Sequence, residues 1–124
     1  MNRLTKLEIE NLSFPDSDVE NMSLCFDHCT LEIKTDSCYL NVNGGKRLFG
    51  CVVKLIKWRM VNISLYESST EEIKILSPET ADNLVDICEF EFGDKIIFKG
   101  FGAKTGQWVE YVFTGGEMSV TYDK

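Results

Sequence analysis

The sequence contains little of what enzymes and membrane proteins usually need. It has one histidine, His28, among 124 residues, and no apolar run approaches the ~20 residues of a membrane span. The first eight residues lack the continuous apolar stretch of a secretion signal. We therefore expect a cytoplasmic protein that does not contact membranes.

Basic residues are also scarce. There are 13 lysines and arginines against 20 acidic residues, and the net charge is −7. A protein that binds nucleic acid electrostatically needs basic residues to displace phosphate counterions. The charge balance therefore predicts that nucleic acid is not the partner.

Enough apolar residues remain for one folded domain. Hydrophobic residues make up 44% of the chain and charged residues 27%, which is ordinary for a globular protein. A chain of this length buries roughly 65% of the surface that it exposes when unfolded. Residues 1–124 are therefore predicted to form a single domain.

The number of cysteines is odd, and without an export signal they are interpreted as reduced thiols. They are Cys25, Cys29, Cys38, Cys51 and Cys88. The segment Cys25-Phe-Asp-His28-Cys29 raises the alternative of a metal site. The surrounding pattern is that of a strand, in which the two cysteines stand ~13 Å apart and the histidine faces the other side. Neither a metal nor another cofactor is predicted.

Alternating apolar residues and frequent turn signals predict an all-β domain with one short helix, built as an antiparallel β-sandwich or small barrel. Asn43-Gly44-Gly45 is the strongest hairpin signal. A long strand over 46–66 is expected to bend between Lys57 and Met60. The other predicted strands are 4–9, 22–33 with a bulge near Asp27-His28, 38–43, 87–92, 95–101, 107–114 and 117–122, with Gly115-Gly116 joining the last two.

One short helix is predicted over 78–86. Ser77 is a suitable N-cap, Pro78 suits the first helical position, and Glu79 complements the positive end of the helix dipole. Ala81, Leu84 and Val85 follow at helical spacing and form an apolar stripe.

Catalytic groups are few. A Cys–His or Ser–His pair would have to use His28, and no Gly-x-Ser-x-Gly motif is present. Glu89 and Glu91 share a strand face, which is one arrangement for the paired carboxylates of a glycosidase, but they alternate with apolar residues and are interpreted as a solvated face. The chain is predicted not to be an enzyme.

Charge is segregated along the chain. Residues 37–66 contain five basic side chains and no acidic one, which leaves −12 on the other 94 residues. Pairing between basic and acidic strands explains part of this pattern. Because 13 cations cannot match 20 carboxylates, an acidic surface must remain, either as a solubility device or as a face that binds a basic protein.

In its length, its acidity, its unexported start and its β-rich tail, such as Gly106-Gln-Trp-Val-Glu-Tyr-Val-Phe113, the chain resembles the small cytoplasmic immunity proteins of bacterial polymorphic toxin and contact-dependent growth-inhibition systems. This resemblance implies a binding partner and not a substrate: one cognate toxin domain, often a nuclease, held inactive in a tight complex. The acidic surface predicts that this domain is basic. The contact residues predicted from charge density near the helix and its loops are Glu71, Glu72, Glu79, Asp82, Asp86, Glu89 and Glu91.

Two other functions remain open. The first is a small-ligand or carbohydrate-binding β-barrel, with aromatic side chains lining its cavity. Its candidates are Trp58, Trp108, Tyr111 and Phe101. The second is a face for single-stranded nucleic acid, where an aromatic ring stacks beside cations. Its candidates are Lys54, Lys57, Trp58 and Arg59.

Overall fold

The computed structural model describes residues 2–123, and its regular secondary structure is almost entirely β-strand. In chain order the elements are β1 Asn2–Arg3, α1 Lys6–Ile9, β2 Leu12–Ser13, β3 Ser17–Cys25, β4 Thr30–Leu40, β5 Lys46–Glu67, β6 Glu72–Leu76, β7 Asp86–Ile87, β8 Glu89–Phe92, β9 Lys95–Phe101 and β10 Trp108–Tyr122. No helix in residues 2–123 is long and apolar enough to cross a membrane.

The ten strands belong to one sheet, in which β7, β3, β4, β5, β10, β9 and β8 follow one another. The shorter strands β1, β2 and β6 pair with β10, β4 and β5 respectively. Every pairing is antiparallel. The predicted all-β, antiparallel class is therefore confirmed.

The sheet curls until its two ends meet at the segment 85–88. Val85 accepts a hydrogen bond from Val19 N on β3 and donates one to the carbonyl of Phe101 on β9, both 2.9 Å long. Cys88 N donates to Lys99 O at 2.8 Å. The curled sheet encloses the apolar core, whose largest fully buried side chains are Tyr111, Phe14, Phe98 and Phe113.

The long strand β5 bends near Lys57, as the sequence predicts. Lys57 has a φ of +59°, and the register with β10 shifts between Thr114 and Gly115, which lie opposite Met60 and Trp58. A bulge of this kind adds twist and allows one strand to follow a curved sheet. As a result, residues 46–56 of β5 pair with β4 and residues 63–67 pair with β6, while β10 pairs with β5 on the other side from Val52 to Tyr66.

The predicted hairpin at Asn43-Gly44-Gly45 is confirmed. All three residues have φ between +49° and +89°, a region that glycine and asparagine enter most readily, and the turn joins β4 to β5.

The five cysteines are free thiols, and Cys38 and Cys51 lie buried on β4 and β5 with their Sγ atoms 2.7 Å apart.

The predicted strand over 4–9 is wrong, because this segment holds the one short helix, α1. Thr5 is its N-cap: Thr5 Oγ1 accepts from Glu8 N at 3.2 Å, and Glu8 Oε1 accepts from Thr5 N at 2.9 Å. This reciprocal capping box starts a helix despite the alternating apolar pattern. Leu4 and Ile9 are buried at its two ends.

The predicted bulge near Asp27-His28 is instead a hairpin turn. β3 ends at Cys25, β4 begins at Thr30, and these two residues lie opposite each other. Cys29 has a φ of +51°, which reverses the chain direction. The change in alternation therefore marked the end of one strand and the start of the next, so the predicted strand spacing of Cys25 and Cys29 does not apply.

The predicted turn at Gly115-Gly116 is also wrong, because β10 runs through it. Gly116 has a φ of +106°, and a Cβ there would approach Leu55 Cδ1 to 2.9 Å. The glycine pair therefore forms the bulge of β10, where the strand passes close to β5.

The helix predicted over 78–86 does not form. Residues 77–80 make a single turn, in which Thr80 N donates to Ser77 O at 3.1 Å. Beyond it the chain is extended, because Leu84 forms a bridge with Gly102 and Asp86–Ile87 is a strand. Tertiary pairing with two other strands replaces the local helical preference.

Candidate protein-binding face

Four apolar side chains form a line across the outer face of the sheet. Ile73 lies opposite Tyr66, Tyr66 opposite Trp108, and Trp108 opposite Phe101, on strands β6, β5, β10 and β9. Directly opposite residues point to the same side of a sheet. The side chains of Ile73, Tyr66 and Phe101 are 70%, 40% and 43% exposed. We call these four residues the apolar row.

The strand alternation explains why the apolar row faces outward. The next residues, Leu65 and Val109, are buried in the core on the enclosed side. The rings of Phe101 and Trp108 pack edge to face with centroids 5.3 Å apart. Ile75, two residues beyond Ile73 on the same side, is 75% exposed. A contiguous exposed apolar patch of this kind is typical of an interaction site.

Carboxylates border the apolar row on the same face. Glu110 is two residues from Trp108 on β10, and Lys99 is two residues from Phe101 on β9. Lys99 lies opposite Glu110 on one side and opposite Glu89 of β8 on the other. Glu91 follows on the same side of β8. Lys99 Nζ lies 3.9 Å from Glu89 Oε1, so one cation neutralises only part of this acidic border.

Five of the seven predicted contact residues are exposed carboxylates: Glu71, Glu72, Glu79, Glu89 and Glu91. The first two stand at the start of β6, directly before Ile73 of the apolar row. Glu79 lies in the single turn 77–80, where its own main-chain N–H and the Ser77 hydroxyl lower the pKa of its carboxyl. Whether these residues contact a partner stays a prediction.

Asp82 is not a surface carboxylate, so its prediction as an exposed contact residue is wrong. Its side chain is fully buried. Its carboxylate accepts hydrogen bonds from Lys104 N at 2.7 Å, Thr105 N at 3.1 Å and Thr105 Oγ1 at 2.6 Å. Asp82 therefore anchors the loop 102–106 to the extended segment after the turn.

Asp86 also has a structural contact. It is half-buried, and its Oδ1 accepts a 2.9 Å hydrogen bond from Phe101 N. This bond holds the end of β9, where the apolar row terminates. We therefore expect Asp86 to position Phe101, whereas the exposed carboxylates are predicted to contact a partner.

Sequence reasoning missed Ile73 because it placed no strand at 72–76, and it gave no role to Tyr66 at the end of the predicted strand 46–66. The pattern Glu72-Ile-Lys-Ile75 does alternate, and this was the available signal. Phe101 and Trp108 were considered only as cavity residues. The members of the apolar row are up to 42 residues apart in sequence, so only the register of their strands places the side chains together.

The aromatic cavity expected for a ligand-binding barrel is not formed by its candidates. A cleft of about 690 Å³ lies beside α1, and its lining includes Arg3, Leu4, Phe92 and Met118. None of the four candidate aromatics lines it. Their places are instead the core, for Trp58 and Tyr111, and the outer face, for Trp108 and Phe101.

The basic segment does not form a stacking face for nucleic acid. Trp58 is buried, and its ring packs on Phe26 and Phe113 with centroids 5.9 and 5.5 Å away. Lys54 Nζ lies 3.9 Å from Glu32, and Lys57 Nζ lies 3.4 Å from Glu117. These cross-strand ion pairs account for part of the charge segregation.

An acidic surface nevertheless remains. The ion pairs within residues 2–123 engage Glu32, Glu67, Glu89 and Glu117. All 20 carboxylate side chains belong to this part of the chain, and subtracting these four leaves 16 without an ion-pair partner there.

Within residues 2–123, no group of three or more potential metal ligands lies together.

Comparison with models of protein families, with curated proteins and with solved structures returns no match to this chain.

Proposed function

We propose that this chain is a non-catalytic binding protein that neutralises a cognate basic toxin domain by covering its active site. The observation that carries the proposal is the apolar row bordered by carboxylates. The resemblance to bacterial immunity proteins supplies the kind of partner, and the geometry of the outer face supplies the surface that would bind it.

The composition of this face matches that of a protein interface. Such interfaces have an apolar, aromatic centre and a polar rim, and tyrosine and tryptophan contribute much of the binding energy. Tyr66 and Trp108 occupy the middle of the apolar row, on β5 and β10. The acidic border, including Glu89 and Glu110, favours a partner of opposite charge, because complementary potentials accelerate encounter and exclude other partners.

The face also rests on a rigid support. β5 and β10 pair over most of their lengths, and the residues beneath the apolar row, such as Leu65 and Val109, are buried in the core. A surface that is already ordered loses little conformational entropy when it binds. Tight binding of one partner is consistent with such a support.

The first experiment is a pull-down from the source cell lysate with tagged protein, followed by elution with increasing salt. We expect one stoichiometric basic protein that salt releases. Its enzymatic activity is then measured with and without this chain. Recovery of an acidic partner, or of a basic partner whose activity the chain leaves unchanged, contradicts the proposal.

Substitutions then test the face with the purified partner. Trp108→Ala is expected to weaken binding by about 30-fold, which corresponds to the ~2 kcal/mol of an interface hot spot. Phe49→Ala is the matched control, because Phe49 is 50% exposed on β5 but lies near the other end of that strand. Equal affinities of the two variants would exclude the apolar row as the binding centre.

A second candidate function is favoured by the cleft beside α1. Its volume of about 690 Å³ is within the range of small-ligand sites, and its lining combines apolar residues with Arg3, Lys6 and Asp94. We propose small-ligand binding as the alternative to toxin neutralisation. A thermal-shift screen with small metabolites and sugars tests it: a saturable stabilisation that Met118→Trp abolishes would support the cleft, and no shift with any compound would exclude it.

A further inference from the structure

Strand β6 has an unpaired edge. Its five residues pair with β5 in unbroken register on one side, and within residues 2–123 no strand pairs with the other side. All but Leu76 are exposed, and Ile73 and Ile75 are 70% and 75% exposed. An exposed, apolar edge is a template on which another strand can form main-chain hydrogen bonds.

We propose that two copies of this chain pair through their β6 strands, antiparallel about a two-fold axis at Ile73. In this register Ile73 lies opposite its own counterpart. Glu72 lies opposite the partner's Lys74, and the reverse pair forms on the other side of the axis. Each dimer therefore gains two cross-strand ion pairs and one apolar pair, which are the contacts that stabilise antiparallel strands.

Within one chain, Glu72 has no lysine or arginine of its own as an ion-pair partner among the described residues. Glu72 lies directly opposite Glu67, so two carboxylates face each other across the hairpin of β5 and β6. Lys74 Nζ lies 2.5 Å from Glu67 Oε2, and this carboxylate raises the pKa of Lys74. The single lysine is thus shared between two carboxylates, and pairing with a second copy places another lysine opposite Glu72.

The same charges favour one register of pairing at β6 and a second copy of this chain as the pairing strand. An antiparallel pair centred one residue further along would place Lys74 opposite the partner's Lys74, and like charges directly opposite are destabilising. The pattern Glu72-Ile73-Lys74 is complementary to itself when reversed. A second copy of this chain therefore presents charges that complement the edge of β6. An unrelated strand would present them only by coincidence.

Pairing through β6 also extends the outer face. The apolar row of each chain ends at Ile73, so the two rows become continuous across eight strands. The main-chain edge is used for pairing, whereas the side chains of the row still point outward. The dimer can therefore form with the chain alone, and its test does not depend on the proposed toxin partner.

The test measures mass against concentration by sedimentation velocity. The wild-type chain is expected to shift from 14.1 kDa to twice this mass as its concentration rises toward the order of 1 mM. Glu72→Lys is expected to weaken the dimer by about tenfold, because both ion pairs become lysine–lysine contacts. Within one chain the new lysine faces Glu67, so the fold is retained.

A charge exchange makes the test specific. Lys74→Glu alone is expected to weaken the dimer as much as Glu72→Lys, whereas an equimolar mixture of the two variants should associate at least as well as the wild type. In the mixed dimer, both cross-strand pairs again join a lysine to a glutamate. Glu79→Lys, with the same change of charge away from the edge, should leave the association unchanged.

Lys74→Glu removes the partner of Glu67, so its folding is checked by circular dichroism. If it does not fold, Ile73→Lys takes its place, since that side chain is exposed and two lysines would then meet at the axis. A wild-type chain that stays monomeric at the order of 1 mM overturns the proposal. A dimer that tolerates Glu72→Lys or Ile73→Lys overturns it as well, because it must use another surface.

Discussion

The hydroxyl of Tyr111 donates a 2.6 Å hydrogen bond to the main-chain carbonyl of Asp82. This bond joins the first half of β10 to the extended segment that follows the turn 77–80. The carboxylate of Asp82 in turn anchors the loop 102–106. One buried tyrosine therefore connects the core to two surface segments, and burial raises the pKa of its phenol above the ordinary range.

Tyr111→Phe is expected to lower the free energy of unfolding by about 1–2 kcal/mol, because it leaves a buried carbonyl without its donor. Urea denaturation followed by circular dichroism measures the change. Tyr66→Phe is the control, since Tyr66 is exposed and its hydroxyl makes no hydrogen bond to the described residues. Similar stability losses in both variants would show that the bond to Asp82 contributes nothing.

Asp82→Ala is expected to destabilise the fold by about 3 kcal/mol, since hydrogen bonds to a charged group are strong and their buried donors lose their partner. Glu79→Ala, which removes an exposed carboxylate three residues earlier, should leave stability nearly unchanged. The two melting curves are compared at neutral pH. Equal melting temperatures would contradict the anchoring role of Asp82.

Gly100→Ala is expected to cost about 3 kcal/mol, because a Cβ at this position would clash with the main-chain carbonyl oxygen of Asp86, and a main chain paired on both sides cannot move away. Gly93→Ala provides the comparison, since no atom lies within 4 Å of a Cβ there. Denaturant titration of both variants measures the difference. A well-folded Gly100→Ala protein would show that β7 and β9 do not approach as closely as described.

Stability is expected to fall in alkaline solution. Burial, together with Asp16 and Asp86, raises the pKa of the Cys88 thiol to about 12, whereas an unfolded thiol titrates near 8.5. The stabilisation from this group is complete below the unfolded pKa and is lost as the pH rises toward 12, because the unfolded chain releases the proton first.

The unfolding free energy at pH 8, 9, 10 and 11 measures this effect. Cys88→Ala should show a shallower decline, since the variant has no thiol to titrate at that position. The comparison isolates Cys88 from Cys38, whose pKa is raised first by its hydrogen bond with the Cys51 thiol and then by burial, and from Tyr111, whose pKa burial raises. Parallel declines in the two proteins would contradict the assignment.

Local patterns predicted the parts of the fold that depend on near neighbours. The hairpin at 43–45 and the strand β9, at its observed bounds Lys95–Phe101, follow from turn chemistry and from alternation over a few residues. The bend near Lys57 was predicted correctly because a strand of this length cannot stay straight in a curled sheet. These features need little information from distant residues.

The failures share a different cause. Gly115-Gly116 suits either a turn or a bulge, and the continuation of β5 opposite it decides for the bulge. The segment after Ser77 has good helix signals, but the loop 102–106 and strands β3 and β9 supply its actual partners. Long-range pairing outweighs local preference in both places.

The sequence by itself determined the acidity of this protein and its all-β, antiparallel class, because both follow from composition and from alternation along short segments. Only the tertiary structure decided which carboxylates stay exposed and which aromatic rings face outward. Trp108 and Tyr111, three residues apart on one strand, must take opposite faces. Which face became the core depended on how the sheet curls, and that is set by pairings between strands far apart in the chain.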